Sequence, residues 1–279
     1  MDWYERYGDM AKKNSYLKEY ICGNWRYSIL FLPCYMVLGC VQAGLLRLTP
    51  ADFVFFVTKG FSFQKFQTIE FLYYVFYYIF PLFWINVFLE NEKKDRNIAA
   101  KFRYGSIQRW NFIMLKECMI YMLRYYCQYL CCVMFIDALL VMFCYNRSSG
   151  YFFAIQKQYG IHTEGIYLGF VAALLWKLIE LLLLLEIDLW IYQHLGNTLT
   201  AFLGTFTVYL LGAVLRRGNI LIAGLSASYG VFELLALRRG RMILAANILT
   251  GMLLVVLLFM IQLKRTGKLR NIRFHRNGG

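Results

Sequence analysis

Long apolar runs alternate along this chain with short segments that carry most of its charge. A helix needs about 20 residues to cross the hydrocarbon core of a bilayer, and six runs reach or approach that length. They cover residues 27–46, 69–89, 112–145, 166–192, 199–215 and 242–263. The runs are continuous rather than alternating in polarity, which argues against membrane β-strands. The pattern therefore predicts an all-α integral membrane protein with six transmembrane helices.

The amino-acid composition also indicates a membrane protein. Hydrophobic residues make up 60% of the 279 residues and charged residues 16%, whereas soluble domains average about 45–50% and about 25%. The sequence has only 3 prolines and no Ser/Gly linker, and it leaves too little polar chain for a separate soluble domain. We expect a single transmembrane domain over residues 1–279.

The distribution of lysine and arginine predicts the orientation, because cytoplasmic segments are enriched in them. Basic residues are concentrated in 1–26, 90–111 and 264–279. Six crossings put all three segments in the cytoplasm, so we expect a multi-pass protein of the cell membrane with a cytoplasmic N-terminus and a basic cytoplasmic tail over 264–279. The arginine-flanked segment 216–241 is interpreted as a re-entrant or interfacial element before the sixth helix, covered by protein. A seventh crossing at 219–237 is the alternative.

No cleavable signal peptide is expected, because the first 20 residues are polar and charged rather than a short apolar core with a small-residue cleavage site. Residues 1–24 also carry apolar side chains. They predict an interfacial helix with its apolar side in the membrane, and a disordered basic tail is the alternative. The net charge of +14 is spread over the segments that flank the membrane. Anionic lipids therefore explain this charge better than a nucleic-acid partner does.

Motifs for catalysis or for metal binding are absent from the sequence. The eight cysteines and three histidines do not show zinc-site spacing. There is no GxxxxGK[ST] phosphate loop, no HExxH and no GxSxG. We therefore expect no catalytic residue, metal or other cofactor on this chain.

Charged side chains inside the predicted spans are costly in hydrocarbon, which makes them candidates for a substrate path. Arg124 and Asp137 share the third span but are thirteen residues apart, about 20 Å along a helix, so they cannot pair directly. Lys177 and Glu180 lie at i,i+3 in the fourth span and either neutralise each other or serve a substrate. Three alternatives remain open for Arg124. Its side chain snorkels to the membrane surface, pairs with an acidic group on another helix, or lines a polar cavity.

The segment between the second and third spans, residues 90–111, is the most distinctive polar stretch. It reads ENEKKDRNIAAKFRYGSIQRWN. A short helix is predicted over 93–102 with an interruption at Gly105. Ser106 is a suitable N-cap for the following helix, and Trp110 stands where an aromatic belt residue is expected. These features predict a cytoplasmic helix–turn–helix that exposes basic and aromatic groups.

This arrangement resembles the permease subunits of type-2 ABC exporters, especially the small ones that serve peptide antibiotics and self-immunity. The matching residues are Glu90, Glu92, Lys94, Arg96, Gly105, Ser106, Arg109, Trp110 and Lys116. The resemblance implies a cytoplasmic coupling helix, with a separate dimeric ABC ATPase that binds ATP and Mg and docks on residues 99–110, where Arg103 also lies. It further implies a second permease subunit, identical or related, and export or clearance of an amphipathic or hydrophobic substrate such as a peptide antibiotic or lipid.

Two other function classes remain open from the sequence. The chain is alternatively a membrane scaffold or immunity protein that does not transport, in which the loop only recruits a partner. It is also alternatively an integral membrane enzyme that modifies lipid, with Glu180, Glu186, Asp188 or His194 in its site. Glu186 and Asp188 lie nearer the cytoplasmic end of the fourth span, where they could reach water.

Overall fold

Helices make up nearly all of the part of the chain that the structure describes. The computed structural model describes residues 26–41, 50–59, 68–94, 107–144, 163–215, 231, 235 and 240–274. We number the seven helices within these ranges in chain order. They are α1 (Arg26–Val41), α2 (Pro50–Lys59), α3 (Thr68–Lys94), α4 (Ile107–Cys144), α5 (Thr163–Leu195), α6 (Thr198–Leu215) and α7 (Gly240–Phe274). The all-α prediction is confirmed for the described residues.

Four helices are long and apolar enough to cross a membrane. Their apolar stretches are Phe71–Asn91 in α3, Phe112–Phe143 in α4, Tyr167–Leu195 in α5 and Arg241–Gln262 in α7. They correspond to the second, third, fourth and sixth predicted spans. The first and fifth predictions correspond to shorter apolar helices, Arg26–Val41 and Thr198–Leu211. The chain is thus a multi-pass membrane protein, with two further helices below the usual length of a span.

α5 is the central helix of the bundle. The buried share of the apolar stretches is 67% in α5 and 61% in α3, against 17% in α4 and 11% in α7. α5 packs against α2, α3, α4, α6 and α7. The outer helices leave many large apolar side chains exposed, including Phe135 and Phe143 of α4 and Met242 and Val256 of α7. A surface of this kind is suited to lipid, since hydrocarbon does not penalise exposed apolar groups.

α1 lies antiparallel to α3 through a row of stacked aromatic rings. The stacked pairs, with their centroid distances, are Tyr27 with Trp84 (4.8 Å), Phe31 with Phe80 (3.9 Å) and Tyr35 with Tyr73 (4.1 Å). The α1 partners recur every fourth residue and so share one face of the helix. The next residue of that face is Gly39, where a Cβ would lie 2.5 Å from the Tyr73 hydroxyl. Glycine at this position therefore lets the two helices approach closely.

A tight turn connects α5 to α6. Gly196 has a φ of 65°, and its N–H donates to the carbonyl of Tyr192 across 2.8 Å, which is a typical glycine end of a helix. The side-chain oxygen of Asn197 then accepts from the N–H groups of Leu199 (3.0 Å) and Thr200 (3.4 Å), as an N-cap does. The pair forms an antiparallel helical hairpin.

The short helix α2 is an element that the sequence pattern did not predict. The Tyr74 hydroxyl donates to the carbonyl of Phe56, and the Tyr129 hydroxyl donates to that of Val57 across 3.3 Å. α2 also packs against α4 and α5. Pro50 is its first residue, the helical position that proline favours, and that was the available signal.

One end of the bundle gathers several helix termini, and we call it the loop end. α3 finishes there at Lys94, and α4 begins there at Ile107, the residue after the predicted N-cap Ser106. Thr198, the first residue of α6, donates a 2.8 Å hydrogen bond to Glu90 near the end of α3. The turn between α5 and α6 therefore lies at the same end.

Several predicted elements fall on residues outside the described ranges. These are the interfacial helix over 1–24, residues 95–102 of the predicted coupling helix, and the segment 216–241 apart from 231, 235, 240 and 241. Val231 and Leu235 are helical, and Val231 is buried in a cluster with residues of α5 and α7. α7 remains helical to Phe274, so the helix extends through much of the predicted basic tail.

Candidate functional site

α5 carries four acidic or basic side chains into the interior of the bundle. Lys177 and Glu180 are each 1% exposed, and Glu186 and Asp188 are each 0% exposed. The expectation that Glu186 and Asp188 reach water is wrong for the described residues, because neighbouring helices cover both. Buried charges in a membrane protein require partners. The partners of each group therefore define the candidate site.

Lys177 is enclosed by tyrosine rings. Its Nζ lies 4.7 Å from the ring centroid of Tyr77, 5.4 Å from Tyr74 and 5.9 Å from Tyr78, all on α3. The ring of Tyr129 on α4 is 5.8 Å away. Each distance is within the range in which a ring face attracts a cation. The ammonium group thus lies in an aromatic cage built by two helices around the third.

Glu180 lies one turn beyond Lys177 and accepts hydrogen bonds from two aromatic side chains. The Tyr78 hydroxyl donates to Oε2, and Nε1 of Trp176 donates to Oε1 across 3.0 Å. The ring of Tyr78 also packs on that of Tyr209 of α6, with 5.1 Å between centroids. The structure brings Lys177 and Glu180 together in one buried region, while their mutual neutralisation stays a prediction.

Asp188 joins three helices. Nδ2 of Asn86 on α3 donates to Oδ2 of Asp188 across 2.9 Å, and Oγ1 of Thr205 on α6 donates to Oδ1 across 3.2 Å. Both carboxylate oxygens therefore have a donor. Sequence inspection missed Asn86 and Thr205, since a single amide or hydroxyl in an apolar run is a weak signal.

Glu186 differs from these two acids. The backbone carbonyl of Glu186 accepts a 2.8 Å hydrogen bond from Nε2 of Gln262 on α7. Both of its carboxylate oxygens are buried and have no hydrogen-bond partner within the described structure. The same holds for Oε1 of Gln262. The α5–α7 interface thus contains three buried acceptor oxygens that lack a donor.

A narrow apolar cleft separates the Glu180 region from the Asp188 region. It lies between α3, α5 and α6. Tyr78 and Tyr209 line it at the Glu180 end, and Thr205 lines it at the Asp188 end. Leu184, which lies midway between the two acids on α5, is also in its lining. Neither acid lines the cleft itself, so mostly apolar side chains lie between Glu180 and Asp188.

The other predicted intramembrane residues do not join this cluster. Arg124 is exposed on α4 and Asp137 is half-buried on the same helix, about 20 Å away along its axis. Among the predicted coupling residues, Glu90 bonds Thr198 and Lys116 is exposed. Glu92 and Lys94 lie in α3 and Arg109 and Trp110 in α4, whereas Arg96, Arg103, Gly105 and Ser106 lie outside the described ranges.

The residues suggested for a membrane enzyme are also spread along α5. His194 is exposed, with Nδ1 2.7 Å from the carbonyl of Trp190. Glu180 lies fourteen residues earlier, which is about 21 Å along a helix. Within the described residues, no group of three or more His, Cys, Asp or Glu side chains is arranged to hold a metal ion.

Comparison with known proteins gives no relative from which a role could be transferred. No protein-family model matches the chain, and no curated protein or solved structure matches it either.

Proposed function

We propose that the chain is the membrane-spanning subunit of an ATP-driven ABC transporter, powered by a separate ATPase. This proposal rests on one observation, namely that the basic segment 95–106 connects two long helices that both extend beyond their apolar stretches. α3 continues beyond its apolar stretch from Asn91 to Lys94, and α4 begins at Ile107, five residues before its own stretch. A partner that pushes on the segment therefore acts directly on two rigid helices.

Hydrogen bonds at the loop end connect the end of α3 to other helices of the bundle, so a force on the segment reaches those helices as well. The hydrogen bond from Thr198 to Glu90 connects the end of α3 to the start of α6. Deeper in the bundle, Asn86 and Thr205 bind the same carboxylate, that of Asp188. A movement of α3 at its loop end is therefore shared with α5 and α6, as conversion between inward-facing and outward-facing states requires.

The proposal includes six crossings, in which α1 and α6 serve as the two short spans. The loop end is then cytoplasmic, and both chain termini lie on that side. Two permease subunits, identical or related, would bind two ATPase subunits. The large exposed apolar surfaces of α4 and α7 suit a subunit that contacts lipid and a second permease. The proposed substrate is amphipathic or hydrophobic, such as a peptide antibiotic or lipid.

Charge reversal in the loop tests the proposal. In a complex reconstituted with the ATPase that co-purifies, we expect Arg103→Glu or Arg109→Glu to uncouple ATP hydrolysis from transport while membrane insertion stays intact. Arg273→Glu is the matched control, because it makes the same charge change in another basic segment. Coupling that is unchanged in both loop variants would refute the assignment.

Cross-linking and an activity assay distinguish the other two function classes. If cross-linking at the loop captures a protein that is not an ATPase, the chain is a scaffold or immunity protein. Lipid modification by the purified chain, without ATP or a partner, would identify an enzyme.

A further inference from the structure

Three buried carboxylates on α5 differ in the donors that they receive. Glu180 accepts from Tyr78 and Trp176, and Asp188 accepts from Asn86 and Thr205. Glu186 is as inaccessible to solvent as both, yet neither of its oxygens receives a hydrogen bond from the described residues. Because all three lie within nine residues of one helix, the contrast arises from their partners rather than from their depth alone.

An ionised carboxylate that receives no hydrogen bond is unstable when it is buried between membrane helices. The desolvation of an unpaired charge costs several kcal/mol, and a buried group avoids that cost by taking up a proton or a counter-ion. Glu180 and Asp188 reduce the cost through two hydrogen bonds each. Glu186 has no such compensation, so it requires a bound species.

The side-chain amide of Gln262 indicates what kind of species the Glu186 carboxylate lacks. Nε2 of Gln262 donates one of its two N–H groups to the backbone carbonyl of Glu186 across 2.8 Å, and it makes no hydrogen bond to the carboxylate oxygens. Oε1 of Gln262 is buried and lacks a donor. The unsatisfied atoms on both residues are oxygens, so the interface lacks a hydrogen-bond donor. A proton on the Glu186 carboxyl supplies one.

We propose that Glu186 and Gln262 form a proton-binding site between α5 and α7, in which the protonated Glu186 donates a hydrogen bond to Oε1 of Gln262. Gln262 is the last residue of the apolar stretch of α7. The site therefore lies in the part of the α5–α7 interface that is nearer the loop end. This inference is independent of the proposed ATPase partner.

The titratable groups around the site come from three helices. Cys118 of α4 is buried and lies within electrostatic reach of Glu186, Asp188 and its own neighbour Glu117. On α5 the nearest acid in sequence is Asp188, whose oxygens bind Asn86 and Thr205. Lys264 and Arg265 follow Gln262 on α7.

Labelling with dicyclohexylcarbodiimide tests the site in the full chain in detergent. The O–H of a protonated carboxyl adds across a C=N bond of the reagent, so that a C–O bond forms and the proton moves to nitrogen. The adduct then rearranges to a stable N-acylurea by transfer of the acyl group from oxygen to nitrogen, and no atom is lost. Peptide mass spectrometry should find Glu186 labelled several-fold more than Glu180 or Asp188, and labelling should fall as pH rises.

Three outcomes would overturn the proposal. They are no labelling at Glu186, equal labelling of the three acids, or protection by sodium at constant pH, which would indicate a cation site instead. Glu186→Gln provides a second test, because its amide replaces the protonated carboxyl as a donor to Gln262. We expect this variant to melt no lower than the wild type. A clearly lower melting temperature would show that the native residue is ionised.

Discussion

Asn86 of α3 donates a 2.9 Å hydrogen bond from Nδ2 to Oδ2 of Asp188 at the buried interface with α5. The second oxygen of the same carboxylate accepts from Thr205 of α6. One side chain thus connects three helices that are distant in the sequence. In lipid the alternative to these contacts is an unsatisfied polar group, which the surrounding hydrocarbon cannot solvate.

Removing the amide should destabilise the bundle. Asn86→Leu leaves Asp188 with a single donor, and we expect a loss of about 1–3 kcal/mol in the free energy of unfolding, the usual penalty for an unsatisfied buried group. Unfolding in mixed detergent measures it, with Phe83→Leu as the control at an exposed position of α3. The double variant Asn86→Leu/Asp188→Leu should recover much of the loss. Equal stability of the wild type and Asn86→Leu would contradict the role given to this bond.

The approach of α7 to α5 depends on Gly251. A Cβ at this position would lie 2.8 Å from Cγ2 of Ile179 and 3.3 Å from the Trp176 ring. We expect Gly251→Ala to destabilise by about 1–3 kcal/mol, as overpacking does, and to lower the melting temperature. Ile179→Ala should partly restore the Gly251→Ala variant, because it removes the clashing methyl group.

Met252→Ala is the matched control for this experiment, since Met252 lies beside Gly251 and is 46% exposed. A melting temperature that falls equally in Met252→Ala and Gly251→Ala would show that helix packing at Gly251 is not the cause.

The row of rings between α1 and α3 predicts a specific rescue. Gly39→Ala would place its Cβ 2.5 Å from the hydroxyl oxygen of Tyr73 and 2.9 Å from the ring carbon that carries it. Tyr73→Phe removes the closer of these atoms. We therefore expect Gly39→Ala to lower the melting temperature and Gly39→Ala/Tyr73→Phe to recover part of the decrease. The absence of any recovery would mean that α1 shifts as a whole.

The sequence predicts the long helices well and their buried contacts poorly. Apolar runs locate the spans because the thickness of the membrane sets helix length, and α4 begins at Ile107 directly after the predicted cap. α2 was missed because its ten residues are too few to register as a span. Local spacing suggested an i,i+3 relation for Lys177 and Glu180, but it could not reveal a tyrosine cage.

Partners in the polar interior lie far apart along the chain. Tyr78 and Glu180 are separated by 102 residues, as are Asn86 and Asp188. Their contacts follow from the packing of α3 against α5, which single-helix periodicity does not specify. The tyrosine-rich segments 73–78 and 125–129 were the available signal for the cage, because so many hydroxyl-bearing rings are unusual in a lipid-facing helix.

The pairing of Lys177 with Glu180 can be measured by a double-mutant cycle. Methionine has a similar length to lysine and no charge, so Lys177→Met keeps the packing inside the tyrosine cage and removes the ammonium. If the two charges compensate each other, this change leaves Glu180 as an unbalanced buried charge and costs about 3–5 kcal/mol. Lys177→Met/Glu180→Gln removes both charges and should restore most of the stability, as measured by unfolding in detergent. A small effect of Lys177→Met alone would show that the tyrosine rings and Trp176 stabilise each charge separately.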